Sequence, residues 1–213
     1  MEIIEVCGHA GGGKDYWAAR QIEKDAERGI KSVRCGFADG VKDYCSTYFG
    51  ITKEDVIWVN FSYDVFLMVK DELCDMDDRF YGVEPVTWRK LFDRVMAAYK
   101  NPTPENLRQV LVYFGTNVVR NEVCGGYWVD ELCGVLKYMT AQGGIDKVYI
   151  ADWRFPNEDL TKFGSVAHLG IHRVRVNTPL DVRIQRLGYD ASGAPSEQFI
   201  DQLEVDEEVS GNE

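Results

Sequence analysis

The sequence contains no apolar run long enough to cross a membrane as a helix. Such a span needs about 18 or more consecutive apolar residues, and none occurs among the 213 residues, although 45% of them are hydrophobic. Internal repeats and low-complexity linkers are also missing. The chain is long enough for one substantial core, so we predict a single α/β domain over residues 1–213 with no membrane partner.

Positive charge is also scarce. The chain has 24 Lys and Arg residues against 35 Asp and Glu residues, which gives a net charge of -11 at pH 7. A protein that binds duplex DNA needs Lys and Arg arrayed on one face, so duplex DNA is not an expected partner. A small anionic ligand needs only a local cluster of basic side chains, and this composition permits one.

Cysteine pairs at metal or redox spacing are missing too. No two cysteines form a CxxC motif, and no signal peptide is expected ahead of the first one. We therefore predict free, buried thiols and a cytoplasmic location. The oligomeric state is left open, and a homodimer is one of the states considered. The six cysteines are Cys7, Cys35, Cys45, Cys74, Cys124 and Cys133.

What the chain does contain is a strand, a glycine-rich turn and a helix at its start. A strand-like segment over residues 2–7, rich in Ile and Val, precedes the motif GHAGGGKD at residues 8–15, and a helix-forming segment follows to residue 28. This order, with GxxxxGK spacing, is typical of the phosphate-binding P-loop, whose backbone N–H groups surround a phosphate at a helix N-terminus. We predict that Gly8 and Gly13 shape the loop and that Lys14 reaches the β- and γ-phosphates. The alternative is a glycine-rich turn that binds no ligand.

The position after the lysine departs from the P-loop pattern. The pattern has Ser or Thr there, with its hydroxyl on Mg²⁺, whereas this chain has Asp15 followed by Tyr16. A carboxylate is also an oxygen ligand for Mg²⁺, directly or through water. We therefore predict that Asp15 takes the metal-binding role.

A candidate phosphate contact follows the second predicted strand, residues 32–38. A turn at Asp39-Gly40 leads into a predicted helix over residues 41–49, which has Lys42 in its first turn. Lys42 would lie at the usual ligand-binding edge of a parallel sheet, although a solvated lysine is the alternative. Residues 51–100 are predicted as a helical insertion on the substrate side, and their acidic run at 71–78 lacks the central glycine of an EF-hand.

Arg108 and Arg120 are predicted to flank a corner at Gly115-Thr116. The pair Thr103-Pro104 has the pattern of an N-cap followed by proline at the first helical position. The helix is expected to stop at Gly115 and to restart at Thr116. Two arginines at such a corner suggest an anion clamp, although each alone would more often form a surface ion pair.

A carboxylate and an arginine follow the third predicted strand, residues 147–151. The carboxyl end of a strand beside the P-loop strand is where NTPases hold Mg²⁺ or its water. Asp152 is therefore a candidate metal ligand, and Arg154 is a candidate phosphate contact. A helix near Asn157 and a fourth strand over about residues 170–176 are expected next.

Arg183 and Arg186 are three residues apart and so share one face of the next predicted helix. The loop that follows is rich in small residues. Paired arginines beside a flexible loop suit a lid over residues 183–196 that closes on transferring phosphates and excludes water. The alternative is a helix face paired with acidic neighbours. Residues 204–213 are predicted as a last edge strand and an acidic tail.

Five blocks occur in order along the chain: GHAGGGKD, FADGVKDYCSTYFG, LRQVLVYFGTNVVR, YWVD and YIADWRFPNED. Together they resemble the phage-type deoxynucleoside monophosphate kinases of the P-loop kinase superfamily, and they cover most of the chain except about residues 51–100. The resemblance implies a P-loop kinase fold, with a central parallel sheet of about five strands in the order 2-3-1-4-5 within a helical shell. It also implies transfer of the ATP γ-phosphoryl group to a deoxynucleoside 5′-monophosphate, with Mg²⁺ as cofactor.

The resemblance further implies roles for individual residues. ATP phosphates and the metal would be bound by Gly8, Gly11, Gly12, Gly13, Lys14 and Asp15. The acceptor would be contacted by Lys42, Arg108, Gly115, Thr116, Arg120 and Trp128, with Trp128 offering a stacking face to the base. The residues implied around the transferring phosphoryl group are Asp152, Arg154, Arg183 and Arg186, with Asp152 also a metal ligand. Tyr16 departs from the family, whose members often have Thr there.

Two other functions fit the same pattern. One is a related kinase that phosphorylates a hydroxymethylated pyrimidine in a nucleotide or in DNA, and the acidic charge weighs against DNA. The other is a P-loop protein that binds nucleotide without catalysis, as a sensor or scaffold. The presence of Lys14, Asp152 and the paired arginines weighs against it. The accepted base and the type of sugar are not predicted.

Overall fold

One five-stranded sheet organises the structure, a computed structural model that describes residues 1–58, 60–193 and 197–211. All its strands are parallel, in the order β2-β3-β1-β4-β5. The strands are β1 Glu2–Cys7, β2 Ser32–Cys35, β3 Lys147–Ile150, β4 Gly170–Asn177 and β5 Glu207–Ser210. The predicted α/β class, the parallel sheet and the strand order are confirmed.

The central strand of the sheet, β1, is apolar enough to be buried on both faces. Ile3 and Val6 are fully buried, as expected for a parallel sheet whose two faces are both covered. Because β1 pairs in parallel with β3 and β4, the carboxyl ends of these strands lie along one edge. The segments that follow Cys7 and Ile150 therefore leave the sheet at the same edge.

Helices make up most of the remaining described chain. The α-helices are α1 Lys14–Glu27, α2 Phe37–Phe49, α3 Tyr63–Met76, α4 Pro85–Lys100, α5 Pro104–Val112, α6 Tyr127–Gln142 and α7 Leu180–Leu187. A π-helix, Tyr113–Val123, continues directly from α5. Short 3₁₀ turns lie at Asp78–Gly82, Pro156–Glu158, Leu160–Lys162 and Ile200–Gln202. Thr103 accepts a hydrogen bond from the Asn106 amide at 3.3 Å, so the predicted N-cap of α5 is confirmed.

The chain divides into two compact units, each with its own hydrophobic core. The first unit comprises Met1–Phe37 and Glu131–Glu213, and its core includes Val6 and Val174 of the sheet. The second unit is Ala38–Asp130, and its core is rich in aromatic rings such as those of Phe49, Phe66 and Phe114. The helices predicted within residues 51–100 are observed there as α3 and α4.

The turn predicted at Asp39-Gly40 is wrong, because α2 begins at Phe37 and runs through both residues. The second strand accordingly ends at Cys35 and not at residue 38. Gly40 has a packing reason to be glycine, since a Cβ there would lie 3.0 Å from the Trp128 ring. A glycine that permits a close contact has the same local signature as one that breaks a helix.

The corner predicted at Gly115-Thr116 is also wrong. The π-helix Tyr113–Val123 is continuous through it, and the Cys124 amide donates to the Val119 carbonyl at 2.8 Å. Gly115 is buried, and a Cβ there would lie 2.9 Å from the Val41 side chain. Close packing against α2 again explains a glycine that resembles a helix breaker.

Two short 3₁₀ turns replace the helix predicted near Asn157. Glu158 accepts a hydrogen bond from the Arg154 amide at 2.9 Å, and Asp159 accepts one from the Thr161 amide at 3.0 Å. Acidic side chains that bond to nearby amides offer the backbone an alternative to the helical ladder. The chain therefore turns twice in this segment without forming an α-helix.

The described helices and the cysteines bear on two further predictions. No helix in the described ranges is long and apolar enough to cross a membrane. All six cysteines are free thiols, and only Cys124 is more than slightly exposed. The prediction of free thiols without a disulfide framework is confirmed.

Candidate functional site

A glycine-rich loop over residues 8–13 joins β1 to α1. Gly8, Gly11 and Gly13 have φ values of 155°, 72° and 84°, a region that favours glycine. The loop is also tightly folded, because a Cβ at Gly12 would lie 2.7 Å from the His9 carbonyl oxygen. The shape of the loop therefore depends on its glycines.

This loop leads into α1 without capping the helix. Gly13 is the N-cap residue and has no side chain to offer. Within the described residues, the amides of Gly13, Lys14, Asp15 and Tyr16 donate to no acceptor, and the first hydrogen bond runs from the Trp17 amide to the Gly13 carbonyl at 2.8 Å. Free amides at the positive end of a helix dipole attract anions.

Lys14, the first residue of α1, is only 6% exposed. Its burial lowers the pKa of the ammonium group, and the positive charge of Arg154 lowers it further. The carboxylates of Asp15, Glu197 and Asp152 act in the opposite direction. A buried ammonium group gains from further anionic partners, so this place favours the oxygen atoms of an anionic ligand.

Asp15 is held between two cations. Its Oδ1 lies 2.7 Å from Nη2 of Arg34 on β2, and its Oδ2 lies 3.8 Å from Nζ of Lys14. The prediction from sequence missed Arg34, which is 19 residues from Asp15. Its only signal in the sequence is a basic residue within a short predicted strand.

Asp152 lies two residues beyond β3 and contacts the segment that follows β2. Its Oδ1 accepts a hydrogen bond from the Phe37 amide at 3.0 Å. A Cβ at Gly36 would lie 2.6 Å from Oδ2, so the close approach of this carboxylate requires glycine there. Asp152 is thereby fixed at the carboxyl edge of the sheet.

Helix α7 brings two arginines to the glycine-rich loop. Arg186 donates from Nη1 to the Gly11 carbonyl at 3.2 Å and from Nη2 to the Gly211 carbonyl at 3.3 Å. Arg183 has a buried Nε that finds no hydrogen-bond partner among the described residues. A Cβ on Gly11 would lie 3.0 Å from the backbone carbonyl oxygen of Arg183. Of the predicted lid, residues 194–196 lie outside the described residues.

An acidic segment that the sequence patterns did not indicate also contacts the loop. Glu197 accepts a hydrogen bond from the Ala10 amide at 2.7 Å, and the same oxygen lies 3.1 Å from Nδ1 of His9. Asp201 contacts Nε2 of His9 at 2.9 Å. The other oxygen of Glu197 lies 4.0 Å from Nη1 of Arg154. Glu197 and His9 are 188 residues apart, so no local pattern signals this contact.

The residues implied for the acceptor all belong to the second unit. Lys42 forms an ion pair with Asp39 at 2.5 Å. Arg108 and Thr116 are exposed, and Arg120 is half-buried. Arg108 lies on α5 and Arg120 on the π-helix that continues it, 12 positions further along the chain. The clamp therefore loses the corner on which its prediction was based.

Trp128 lies within the aromatic core of the second unit. Its ring is 3% exposed, and its Nε1 donates to the Gly115 carbonyl at 2.9 Å. The rings of Tyr44 and Phe114 pack against it at centroid distances of 5.6 and 6.2 Å. Base stacking on Trp128 stays a prediction, and it requires this ring to become uncovered.

A metal ion would have few protein ligands at this site. Within the described ranges, no group of three or more His, Cys, Asp or Glu side chains is arranged to hold a metal. Mg²⁺ commonly uses only one or two carboxylates when substrate phosphates supply the other oxygen atoms. Asp15 and Asp152, which both act on the pKa of Lys14, are compatible with that arrangement.

Comparison with known proteins adds no family to this description. The chain matches no protein-family model, and no curated protein matches it. Any functional assignment therefore depends on the geometry of the first unit. It combines free helix amides, a buried lysine, Arg154 and the two arginines of α7, which together can bind a polyanion such as a chain of phosphates.

Proposed function

We propose that this chain is a P-loop kinase that transfers the γ-phosphoryl group of ATP to a deoxynucleoside 5′-monophosphate, giving the diphosphate and ADP. The observation that carries the proposal is the buried Lys14 at the start of α1, directly after a glycine-rich loop whose following amides are free. The strand order supports it, because the loop leaves the carboxyl edge of the central strand. Open α/β sheets bind ligands at that edge.

The glycine-rich loop would hold the phosphates of ATP. The free amides of the first turn of α1 would donate to phosphate oxygens, and Lys14 would reach the β- and γ-phosphates. The positive charges of Arg183 on α7 and of Arg154, which acts on the pKa of Lys14, would stabilise charge on the transferring group. Fixed donors in a site that excludes water stabilise developing charge strongly.

Asp15 and Asp152 are the proposed protein ligands of Mg²⁺, which would neutralise charge on the β- and γ-phosphates when bound. The ion pair of Asp15 with Arg34 at 2.7 Å would have to loosen for direct coordination, whereas contact through a water leaves it intact. Asp152 uses Oδ1 for the Phe37 amide. Asp15 would therefore contact the ion through water, and Asp152 would hold it at the carboxyl edge of the sheet.

The second unit would bind the monophosphate acceptor. Lys42 and Arg120 supply positive charge there, and Thr116 offers an exposed hydroxyl group. The π-helix that carries Gly115, Thr116 and Arg120 supports this assignment, because π-helical segments are frequent at functional sites. Arg108 lacks the corner that would bring it beside Arg120. Trp128 would stack on the base only after its buried ring becomes uncovered.

The proposed reaction needs no general base. A phosphate oxygen of the acceptor is already anionic at neutral pH, and it forms a bond to the γ-phosphorus as the bond to the bridging oxygen of ADP breaks. The protein has to align the two nucleotides and to neutralise charge. Lysine, arginine and Mg²⁺ are suited to that task.

A coupled assay of ADP release tests the proposal. The panel contains the four common deoxynucleoside monophosphates, their ribose counterparts and 5-hydroxymethyl-deoxycytidine monophosphate. Lys14→Ala should lower turnover at least about 100-fold, the scale seen when one transition-state donor is lost, while the circular dichroism spectrum stays unchanged. Lys24→Ala is the matched control, since Lys24 is exposed in the last turn of the same helix.

The same panel separates the alternative functions. A folded and fully active Lys14→Ala variant would contradict the P-loop assignment. Turnover with the hydroxymethylated nucleotide alone would favour the related kinase. Binding of ATP without ADP release on any acceptor would favour a sensor or scaffold.

A further inference from the structure

A cavity of about 290 Å³ opens within the second unit, between α3, the 3₁₀ turn Asp78–Gly82 and the start of α4. Its walls include the aromatic rings of Phe66, Phe80, Tyr81 and Trp88. None of the residues assigned to ATP or to the acceptor lines it. Ligand pockets usually span about 300–1,000 Å³, so this cavity suits a molecule with a single ring.

One ring of the cavity wall carries a buried donor without a partner. Trp88 is 4% exposed, and within the described residues its Nε1 has no hydrogen-bond acceptor. The ring is wedged between Phe66 and Phe80, whose centroids lie 6.2 and 6.3 Å away. Nε1 itself has almost no accessible surface, so Trp88 borders the cavity through other ring atoms and its N–H signal reports binding there indirectly.

The charge of the cavity is opposite to that of the chain. Its lining includes Lys70 and Arg89 but no Asp or Glu, although the whole chain carries a net charge of -11. Arg89 pairs with Asp93 at 3.3 Å on the same helix. Lys70 is half-buried and makes no ion pair among the described residues. An anionic group would therefore bind beside Lys70.

We propose that this cavity is a second ligand site, which binds a small planar anion consisting of one aromatic ring and a carboxylate or phosphate group. The ring would lie against the aromatic walls, and the anionic group would pair with Lys70. This site does not depend on the proposed kinase function, because it shares no residue with it.

The proposal is tested by titrating the full-length protein with sodium benzoate and following the indole N–H signals by ¹H–¹⁵N NMR. The chain has five tryptophans, and Trp88→Phe assigns the Trp88 signal. Benzoate should move that signal in a saturable way, and benzyl alcohol should bind at least about fivefold more weakly because it lacks the charge. Lys70→Gln should weaken benzoate binding by a similar factor and leave benzyl alcohol unaffected.

Lys90→Gln is the matched control, because Lys90 is exposed on α4 and does not line the cavity. Lys70 is only half-buried, so its variant tests the proposal even if Trp88→Phe fails to fold. The proposal is overturned if benzoate leaves the Trp88 signal unchanged up to its solubility limit. It is also overturned if Lys70→Gln binds benzoate as well as the wild type, or if thymidine monophosphate displaces benzoate competitively, which would make the cavity part of the acceptor site.

Discussion

Glu5 lies in the central strand of the sheet and should make the stability of this protein fall as pH rises. Its side chain is fully buried; Oε1 accepts a hydrogen bond from the Leu160 amide at 3.0 Å, and Oε2 has no partner among the described residues. Burial raises the pKa of Glu5 from 4.5 to about 8. Asp159 and Glu158 act in the same direction, whereas the Leu160 amide and Arg173 oppose it.

The sign of the effect follows from proton binding. Between pH 4.5 and about 8 the folded protein keeps a proton on Glu5 that the unfolded chain has released, so the free energy of unfolding decreases as pH rises. Each pKa unit corresponds to about 1.4 kcal/mol. The contribution of Glu5 is therefore intact near pH 4.5, and about 5 kcal/mol of it is lost by pH 8 and above.

The substitution Glu5→Gln removes this titration and keeps the side-chain shape and the acceptor for the Leu160 amide. Urea unfolding at several pH values between 5 and 8.5 should show wild type and variant within about 1 kcal/mol of each other at pH 5. At pH 8.5 the variant should be more stable by several kcal/mol, approaching about 5. This is a large part of the total stability of a typical domain, so it should be easily measured.

Glu2→Gln is the matched control, because Glu2 belongs to the same strand but its side chain is 45% exposed beside Lys147. It should leave the pH dependence of unfolding unchanged. The reasoning would be refuted if the stability difference between wild type and Glu5→Gln were the same at every pH. Comparing the free energies of unfolding of wild type and Glu5→Gln at each pH cancels the contributions of the titrating groups that both proteins share.

Two further predictions concern stability. Thr103→Ala should destabilise the protein by about 1 kcal/mol in urea unfolding, because α5 loses its N-cap acceptor, while Thr103→Ser should change little; equal losses for both would contradict the capping role. Tyr149→Phe should cost about 1.5–3 kcal/mol in the same assay, because its hydroxyl group donates to the buried carboxylate of Asp25 at 2.9 Å. Tyr138→Phe on the exposed face of α6 is the control, and a similarly small effect of both substitutions would contradict the assigned hydrogen bond.

Local patterns predicted the elements that depend on neighbours in sequence. The first strand, the glycine-rich loop and α1 follow one another without interruption, so their order and spacing were readable from the sequence. The N-cap of α5 involves residues only three positions apart. The strand order came with the family resemblance, because pairing joins residues as distant as Cys7 and Arg175.

Glycine was the residue that local patterns interpreted least well. Gly40 and Gly115 both have the signature of helix breakers, yet both lie within helices and permit close contacts with Trp128 and Val41. A glycine that makes room for a neighbouring side chain cannot be distinguished from one that ends a helix until that neighbour is placed. The predicted turn and the predicted corner were wrong for this reason.

The sequence alone determined that Lys14 and Asp15 directly follow the glycine-rich loop at the start of α1, because the loop and the helix are local elements. Only the tertiary structure decided what surrounds them. Arg34 reaches Asp15 from β2, and Glu197 reaches the Ala10 amide from a segment 187 residues away. Burial likewise depends on the whole fold, since the groups that act on the pKa of Glu5 belong to residues 158–160 and to Arg173, far from it in sequence. Charge and hydrogen-bonding capacity are properties of a residue, whereas the partners that satisfy them are brought together only when distant parts of the chain pack.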